Sequence, residues 1–504
     1  MFMDLFMQGL ANVLEWQMLL ILIVGAALGI AIGSLPGLTA TMGVALLVPV
    51  TYGMDPAAGI LLLVSLYFGA IYGGSITAIL LRTPGTPAAA ATALDGYEMT
   101  KRGLGQKGLL VAVYSSATGA VVSVTILIFL SPVLANFALN FSAPETFALA
   151  LFGLSIISSV AGESMLKGLI AGVAGLLVAT IGLDPMDGFA RFTFDNVQLL
   201  NGVDFIPVMI GLFAAAQAFK MMEDIFSKEQ INLTIEKSKL KWKEFKSLII
   251  TMLRSSAIGT GIGMIPGAGG DISAFVAYNE AKRFSKKPEE FGKGAMEGVA
   301  APESANTGTS GGSMIPLLTL GIPGDAVTAV MLGSLMVAGL QPGPLLFVEN
   351  ADVVYTIFVG MIVATILILI YGLIGIRHFV KILLIPKPIM ATFILVLCVV
   401  GSYSIGNNFF DVWVMFVAGV IGYFMIRYGY PASPVILALI LGPLMESNLR
   451  RSLVMSGGSY DVFFTRPITA ILLSLAVLTL FSPLIRAWYV KRRVNGDNNK
   501  DMNA

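Results

Sequence analysis

Apolar positions in this chain come in long unbroken stretches, not in the alternating pattern of half-buried strands. Residues 16–54, 56–81, 108–144, 168–183, 205–219, 353–376, 389–410 and 467–485 carry no charge at all. About 20 apolar residues cross the hydrocarbon core as a helix, so the pattern predicts an all-α polytopic membrane protein with on the order of ten or more spans. Glycine and proline interrupt these runs at a few places. One is LLRTPGTPAAAATALDG, residues 80–96, where an arginine, two prolines and two glycines end the run that began at residue 56.

The interruptions repeat. GSLPG at 33–37 recurs as GMIPG at 263–267, an offset of 230. YGGSITAILLRTPG at 72–85 recurs as SGGSMIPLLTLGIPG at 310–324, offset 238 at the first shared glycine. Pro144, Gly162 and Gly175 match Pro388, Gly406 and Gly419 at 244. The order predicts an internal duplication: one transmembrane repeat at 10–217, a connector at 218–247, and a second repeat at 248–445. A loop with a final span (446–486) and a tail (487–504) follow.

Loop charge orients the halves, because Lys and Arg collect on the cytoplasmic side. Lys282, Lys286, Lys287 and Lys293 follow GMIPG, whereas VTYGMDP, after GSLPG, has no cation. Lys101, Arg102 and Lys107 follow the first TPG copy, and the loop after the second has none. Arg377, Lys381 and Lys387 occupy the loop that matches cation-free 131–142. The pattern predicts inverted-topology repeats with discontinuous, re-entrant helices, a construction of many secondary transporters. The lysine-rich connector and the C-terminus are then cytoplasmic, and the N-terminus and the Gly53 loop periplasmic.

Composition removes alternatives. The chain has 504 residues, 56% hydrophobic and 12% charged, with net charge +1, against about one quarter charged in soluble domains. Nothing points to nucleic acid. The single Cys398 and single His378 exclude a disulfide framework and a histidine metal cluster; His378, between Arg377 and Lys381, reads as a surface-loop residue. The N-terminus lacks the basic region of a cleaved signal peptide. No G-x-x-x-x-G-K-[ST] string occurs, so the chain carries no P-loop of its own. An intramembrane enzyme would be left with carboxylate chemistry alone, and a channel calls for a continuous pore and not two matched breaks.

A helix break inside the bilayer is tolerated only where it is buried in protein or lines a wet cavity. Its freed N–H groups attract anions, and its freed carbonyls suit a small cation. TPGTP and IPGD form one matched pair of breaks, and SLPGLTAT and MIPGAGGD a second.

The strings GSLPGLTATMGVALLVPVTYGM, YGGSITAILL, TPGTPAAAATALDGYEMTKRG and APESANTGTSGGSMIPLLTLGIPGD resemble the large membrane subunit of the tripartite tricarboxylate transporter family, over nearly the whole chain. The resemblance implies three partners: a small four-helix membrane subunit, a periplasmic substrate-binding protein and a carboxylate substrate. It implies cation-coupled secondary uptake, by Na⁺ or H⁺ and without other cofactors, in the bacterial inner membrane. An elevator-type transporter is the expected architecture, with a self-sufficient carboxylate symporter as the alternative. Arg82 departs from the family pattern, which more often has asparagine there.

The expected substrate positions are Gly73, Gly74, Ser75, Arg82, Thr83, Pro84, Gly85 and Thr86, with Gly311, Gly312, Ser313, Pro323, Gly324 and Asp325 in the second half. Arg82 at mid-membrane depth either forks onto a substrate carboxylate or pairs internally with Asp95. The expected cation positions are Gly37, Thr39, Thr41, Gly267, Asp271, Asn306, Thr307 and Thr309, rich in the hard oxygens a small cation prefers. Glu303 stands close to them in sequence. Each acid could equally cap a helix.

Overall fold

The computed structural model describes residues 2–480 apart from 36, 156–163, 185, 224–237, 268, 376–378 and 380–385. His378, Gly162, the tail 487–504 and much of the connector therefore lie outside the described residues. Contacts divide the chain into two units, Met1–Asn140 with Ile206–Phe424, and Phe141–Phe205 with Met425–Ala504.

In chain order the helices are α1 (Phe2–Leu14), α2 (Trp16–Gly33), α3 (Ala40–Thr51), α4 (Pro56–Leu81), α5 (Ala89–Lys101), α6 (Gly105–Ala138), α7 (Ala143–Ser155), α8 (Met165–Ala179), α9 (Phe205–Glu223), α10 (Trp242–Gly263), α11 (Gly269–Phe284), α12 (Met296–Leu320), α13 (Ala326–Val337), α14 (Ala351–Ile374), α15 (Lys387–Gly406), α16 (Phe409–Tyr428), α17 (Ser433–Met455) and α18 (Pro467–Leu480). Among the described residues seven are long and apolar enough to cross a membrane, fewer than the charge-free runs suggested. The reason is local. The run 16–54 is split by its SLPG turn into α2 and α3, and α3 is too short to span. Conversely α12, 25 residues long, is too polar to be recognised by hydropathy.

The larger unit is organised around α4 and α12. Asp55 caps α4 by accepting from the Ala57 and Ala58 amides at 3.0 and 3.3 Å, and Pro56 suits the first helical position. From Ala57 to Leu80 every residue is buried, as is every residue of α12 from Gly298 to Thr319. A preceding helix crosses each one at glycines. A methyl on Gly29 would come to 2.3 Å from the Leu66 carbonyl oxygen, and one on Gly259 to 2.1 Å from that of Ala305. Gly33 meets the Ala70 oxygen at 2.1 Å and Gly263 the Thr309 oxygen at 2.5 Å. From the other side, Gly73 meets Ile30 and Gly312 meets Thr260. The α2–α4 and α10–α12 crossings are thus the same contact made twice. Their register pairs Gly73 with Gly312, one residue beyond the Gly73–Gly311 match that the motif alone suggests.

Other contacts are exchanged between the halves. α6 lies on α12, with Gly119 against the Ser304 carbonyl, and α14 lies on α4, with Gly360 against Leu61. α9 widens into a π-turn at Ile210–Ala215 and packs on α16, where Gly211 meets the Met415 carbonyl.

The smaller unit, taken by itself, holds α7, α8, α17 and α18. Gly175 of α8 brings α17 close at Val435, as Gly419 of α16 does for α9 at Ala215 in the larger unit. Glu145 is held by Ser142, Arg466 and Thr469. The loop after α8 is braced by ion pairs. Arg191 forks onto Glu446 at 2.8 and 3.3 Å, and Arg450 reaches Asp184 at 3.0 Å. The Asp187 and Met186 amides, and then Arg450 and Arg191, hold the Asp184 carboxyl below the usual carboxylate range.

Candidate functional site

Both PG breaks have one construction. α4 ends at Arg82, whose backbone is left-handed (φ 58°), and α12 ends at Gly321 (φ 68°). The chain then doubles back along the helix it has just left. Gly85 N–H donates to the Gly74 carbonyl at 3.3 Å, and Gly85 packs on the Gly33 carbonyl oxygen. Gly324 packs on Ser313 and on the Gly263 carbonyl oxygen, and its own carbonyl accepts from Gly267 N–H at 2.6 Å. Only glycine permits such approaches. From each tip a new helix departs, α5 from the first and α13 from the second.

The two tips differ in what closes them. Asp325 caps α13: it accepts from Thr328 N–H at 2.8 Å and from the Thr328 hydroxyl at 2.7 Å. The buried Tyr67 hydroxyl of α4 donates to its other carboxylate oxygen. At the first tip the cap position is Ala88, and no side chain caps α5. Thr86 is buried, yet its hydroxyl has no partner, and neither has that of Thr83. Beside this tip stands Asn306 of α12, 2% exposed, with both amide atoms unpartnered. A methyl on Gly270 would lie 2.3 Å from Asn306 Oδ1 and 3.5 Å from Ala88 Cβ. Asn306, the start of α11 and the first tip therefore converge. Thr307, 3% exposed, also has a free hydroxyl. Unpaired buried polar atoms are rare in proteins and ask for an explanation.

The remaining expected residues are placed as follows. Gly37 and Gly267 occupy matching turns with φ 88° and 77°. Thr39 caps α3 through Met42 N–H at 3.3 Å, and Thr41 is half-buried. Asp271, in the first turn of α11, is exposed. Thr309 is already satisfied by Ser273 at 2.6 Å and by the Ala305 and Gly259 carbonyls. Gly73 and Gly312 serve helix crossings, and Gly74 makes room for Thr86, while Gly311 admits Ser123. Ser75 and Ser313 turn back to the carbonyls of Tyr72 and Ser310.

Arg82 stands apart from the first tip. Gly85 returns to the level of Gly74, eight residues before Arg82, so Arg82 stands about 12 Å along the helix from the tip. It is exposed, over the Tyr97 ring at 5.9 Å. Nor does it pair with Asp95, which is fully buried and accepts from Tyr278 Oη at 2.8 Å and from the Gly294 and Ala295 amides at 2.7 Å each. Sequence reasoning missed Tyr67, although it stands 239 residues before Asn306, the offset that also relates Gly85 to Gly324. It also left Glu303 without its setting, a fully buried carboxylate taking hydrogen bonds from Thr92 and Ser116.

The profile of the Tripartite tricarboxylate transporter TctA family matches residues 19–437, taking in both tips and both turns. The chain belongs to this family. An "Uncharacterized 52.8 kDa protein in TAR-I ttuC' 3'region" of Agrobacterium vitis is 38% identical over 93% of each chain. An "Uncharacterized protein in TAR-II ttuC' 3'region" of the same organism is 40% identical over 46% of this chain and 97% of its own. No solved structure matches. As a TctA-family member the chain is a membrane transport protein, and its matched breaks are the part of the fold that departs from simple spanning helices.

Proposed function

We propose that this chain is the permease subunit of a tripartite carboxylate uptake system of the bacterial inner membrane. A periplasmic binding protein delivers a di- or tricarboxylate, a small four-helix membrane subunit completes the complex, and entry of Na⁺ or H⁺ drives uptake. The observation that carries the reading is the set of buried polar atoms left without partners on the first tip and on the stretch of α12 beside it, Thr86, Asn306 and Thr307. In a membrane interior such atoms cost free energy unless a ligand or water satisfies them. The Asn306 and Thr307 oxygens, Asp271 and the turn at Gly267 supply the hard ligands for the cation.

The two halves work as inverted repeats, 10–217 and 248–445, and expose the site alternately to each side in an elevator-type cycle. Duplicated crossings at Gly33 and Gly263 support the duplication; the alternating loop charges support the inversion. Single cysteines at Gly53 and Lys286 are expected to label from opposite sides of the membrane, the first from the periplasm. Labelling from one side defeats the inversion.

The function is tested in proteoliposomes holding the large and small membrane subunits. Uptake from a panel of citrate, isocitrate, malate and succinate should require both an imposed cation gradient and added binding protein. Full uptake without the binding protein makes the chain a self-sufficient symporter.

A further inference from the structure

The duplicated architecture lets each tip be compared with the other, position by position. Gly85 and Gly324, which pack on Gly33 and Gly263 in the same way, set the register at 239 residues. In that register Thr86 corresponds to Asp325, and Tyr67 corresponds to Asn306. The second tip is complete. Its own carboxylate, Asp325, takes a hydrogen bond from Tyr67 of the opposite half and two from Thr328 at the start of α13. At the first tip the donor from the opposite half is present, as Asn306, but the acid is missing: Thr86 stands where it would be.

What is left over at the first tip is what a carboxylate would satisfy. Asn306 Nδ2 and the Thr86 hydroxyl are buried donors without partners, and α5 begins without a side-chain cap. Pro87 and Asp271, each next to one of the converging residues, lie at the surface of the chain, so the site is not sealed inside it. Thr307 adds a third free hydroxyl on α12.

We propose that one carboxylate of the substrate binds at the first tip, against Thr86 and the Asn306 amide, in the place Asp325 fills at the second. This rests on the reading of the chain as a carboxylate transporter and adds to it an asymmetry. Although both tips have the same fold, only one receives substrate; the other is closed permanently by the protein's own acid, which also repels a second anion. Specificity for the rest of the molecule then belongs to groups around the first tip. The charge of the nearby Asp271 is offset by the coupling cation, so anion and cation enter the cluster together.

The test is to supply the missing acid. Thr86→Asp builds at the first tip the arrangement of the second, and Thr86→Asn has the same shape without the charge. Binding of the best-transported member of the panel is read by thermal stabilisation of the purified full-length complex, and transport by counterflow in proteoliposomes. Thr86→Asp should run as a monodisperse, folded complex whose affinity for the carboxylate has fallen at least tenfold, with counterflow lost. Thr86→Asn should weaken binding far less. Wild-type affinity in Thr86→Asp overturns the proposal. If that variant does not accumulate, Thr86→Val, which keeps the shape, loses the hydroxyl and touches no proposed cation ligand, decides: a clear loss of carboxylate affinity supports the site, and unaltered affinity removes it. A wild-type complex that moves no carboxylate, with binding protein and gradient present, overturns the functional reading itself and this inference with it.

Discussion

Asp95→Ala is expected to leave little folded protein in the membrane, while Arg82→Ala accumulates at near wild-type level. Asp95 is fully buried and accepts from three donors, the Tyr278 hydroxyl and the Gly294 and Ala295 amides. Alanine leaves all three without an acceptor. A stranded buried donor costs about 1–3 kcal/mol, so the loss is on the order of 4 kcal/mol or more. That is a large part of the 5–15 kcal/mol typical of a folded protein. Asp95→Asn should be far milder. Both amides bind the same oxygen, Oδ1, which an asparagine retains, and the tyrosine hydroxyl can turn to accept from the new NH₂ group. Gly298→Ala should resemble Asp95→Ala, because the added methyl would lie 2.1 Å from Asp95 Oδ2. Removing Arg82 together with Asp95 should rescue nothing, since the two side chains do not meet. Yield of monodisperse protein and its unfolding temperature in detergent check each of these. Recovery in the double variant would reinstate the ion pair.

The contrast between Arg82 and Asp95 shows where the sequence was legible and where it stopped. Proline–glycine strings mark both breaks and both turns correctly, because the chemistry of a break is local: no other residues tolerate those backbone approaches. The two matching helix crossings at Gly33 and Gly263 are legible too, since the glycines that make them keep their order. Depth is not. A linear run places Arg82 at the break, but the chain doubles back, and the tip lies at Gly74 and not at Arg82. The left-handed backbone at Arg82 was hidden because its side chain advertises charge, whereas the matching residue is Gly321. Long-range partners are likewise invisible. Nothing in ESANTGTSGGS distinguishes Asn306, left unpaired beside the first tip, from Thr309, closed on Ser273 one turn further on. Span counting failed at α12 for a related reason. A helix enclosed by protein on every side needs no apolar surface, so α12 could accumulate the polar residues that hydropathy penalises, even though the equally enclosed α4 stayed apolar.

The second large effect is expected at the closed tip. Asp325→Ala removes the cap of α13, worth about 1 kcal/mol, and takes the carboxylate acceptor from the Tyr67 hydroxyl, leaving it only Ser310 and Ser313, at about 1 kcal/mol more. Tyr67 is 2% exposed, so water does not replace the lost acceptor without opening the packing around α4. Tyr67→Phe is the informative companion. It deletes the donor but leaves Asp325 bonded to Thr328 N–H and its hydroxyl, so the cap survives and the cost should be the smaller of the two. In the double variant no hydroxyl remains to lose its acceptor, and only the cap is lost. The double variant should therefore be no less stable than Asp325→Ala alone, a non-additivity that neighbouring groups sharing one interaction produce. Asp325→Asn should sit nearest to wild type, because an amide oxygen can still accept from Thr328 and its NH₂ can face the tyrosine oxygen. Unfolding temperatures of the four variants measure the coupling directly. Costs that simply add would mean that Tyr67 and Asp325 act independently, and the second tip would then lose the internal carboxylate contact that sets it apart from the first.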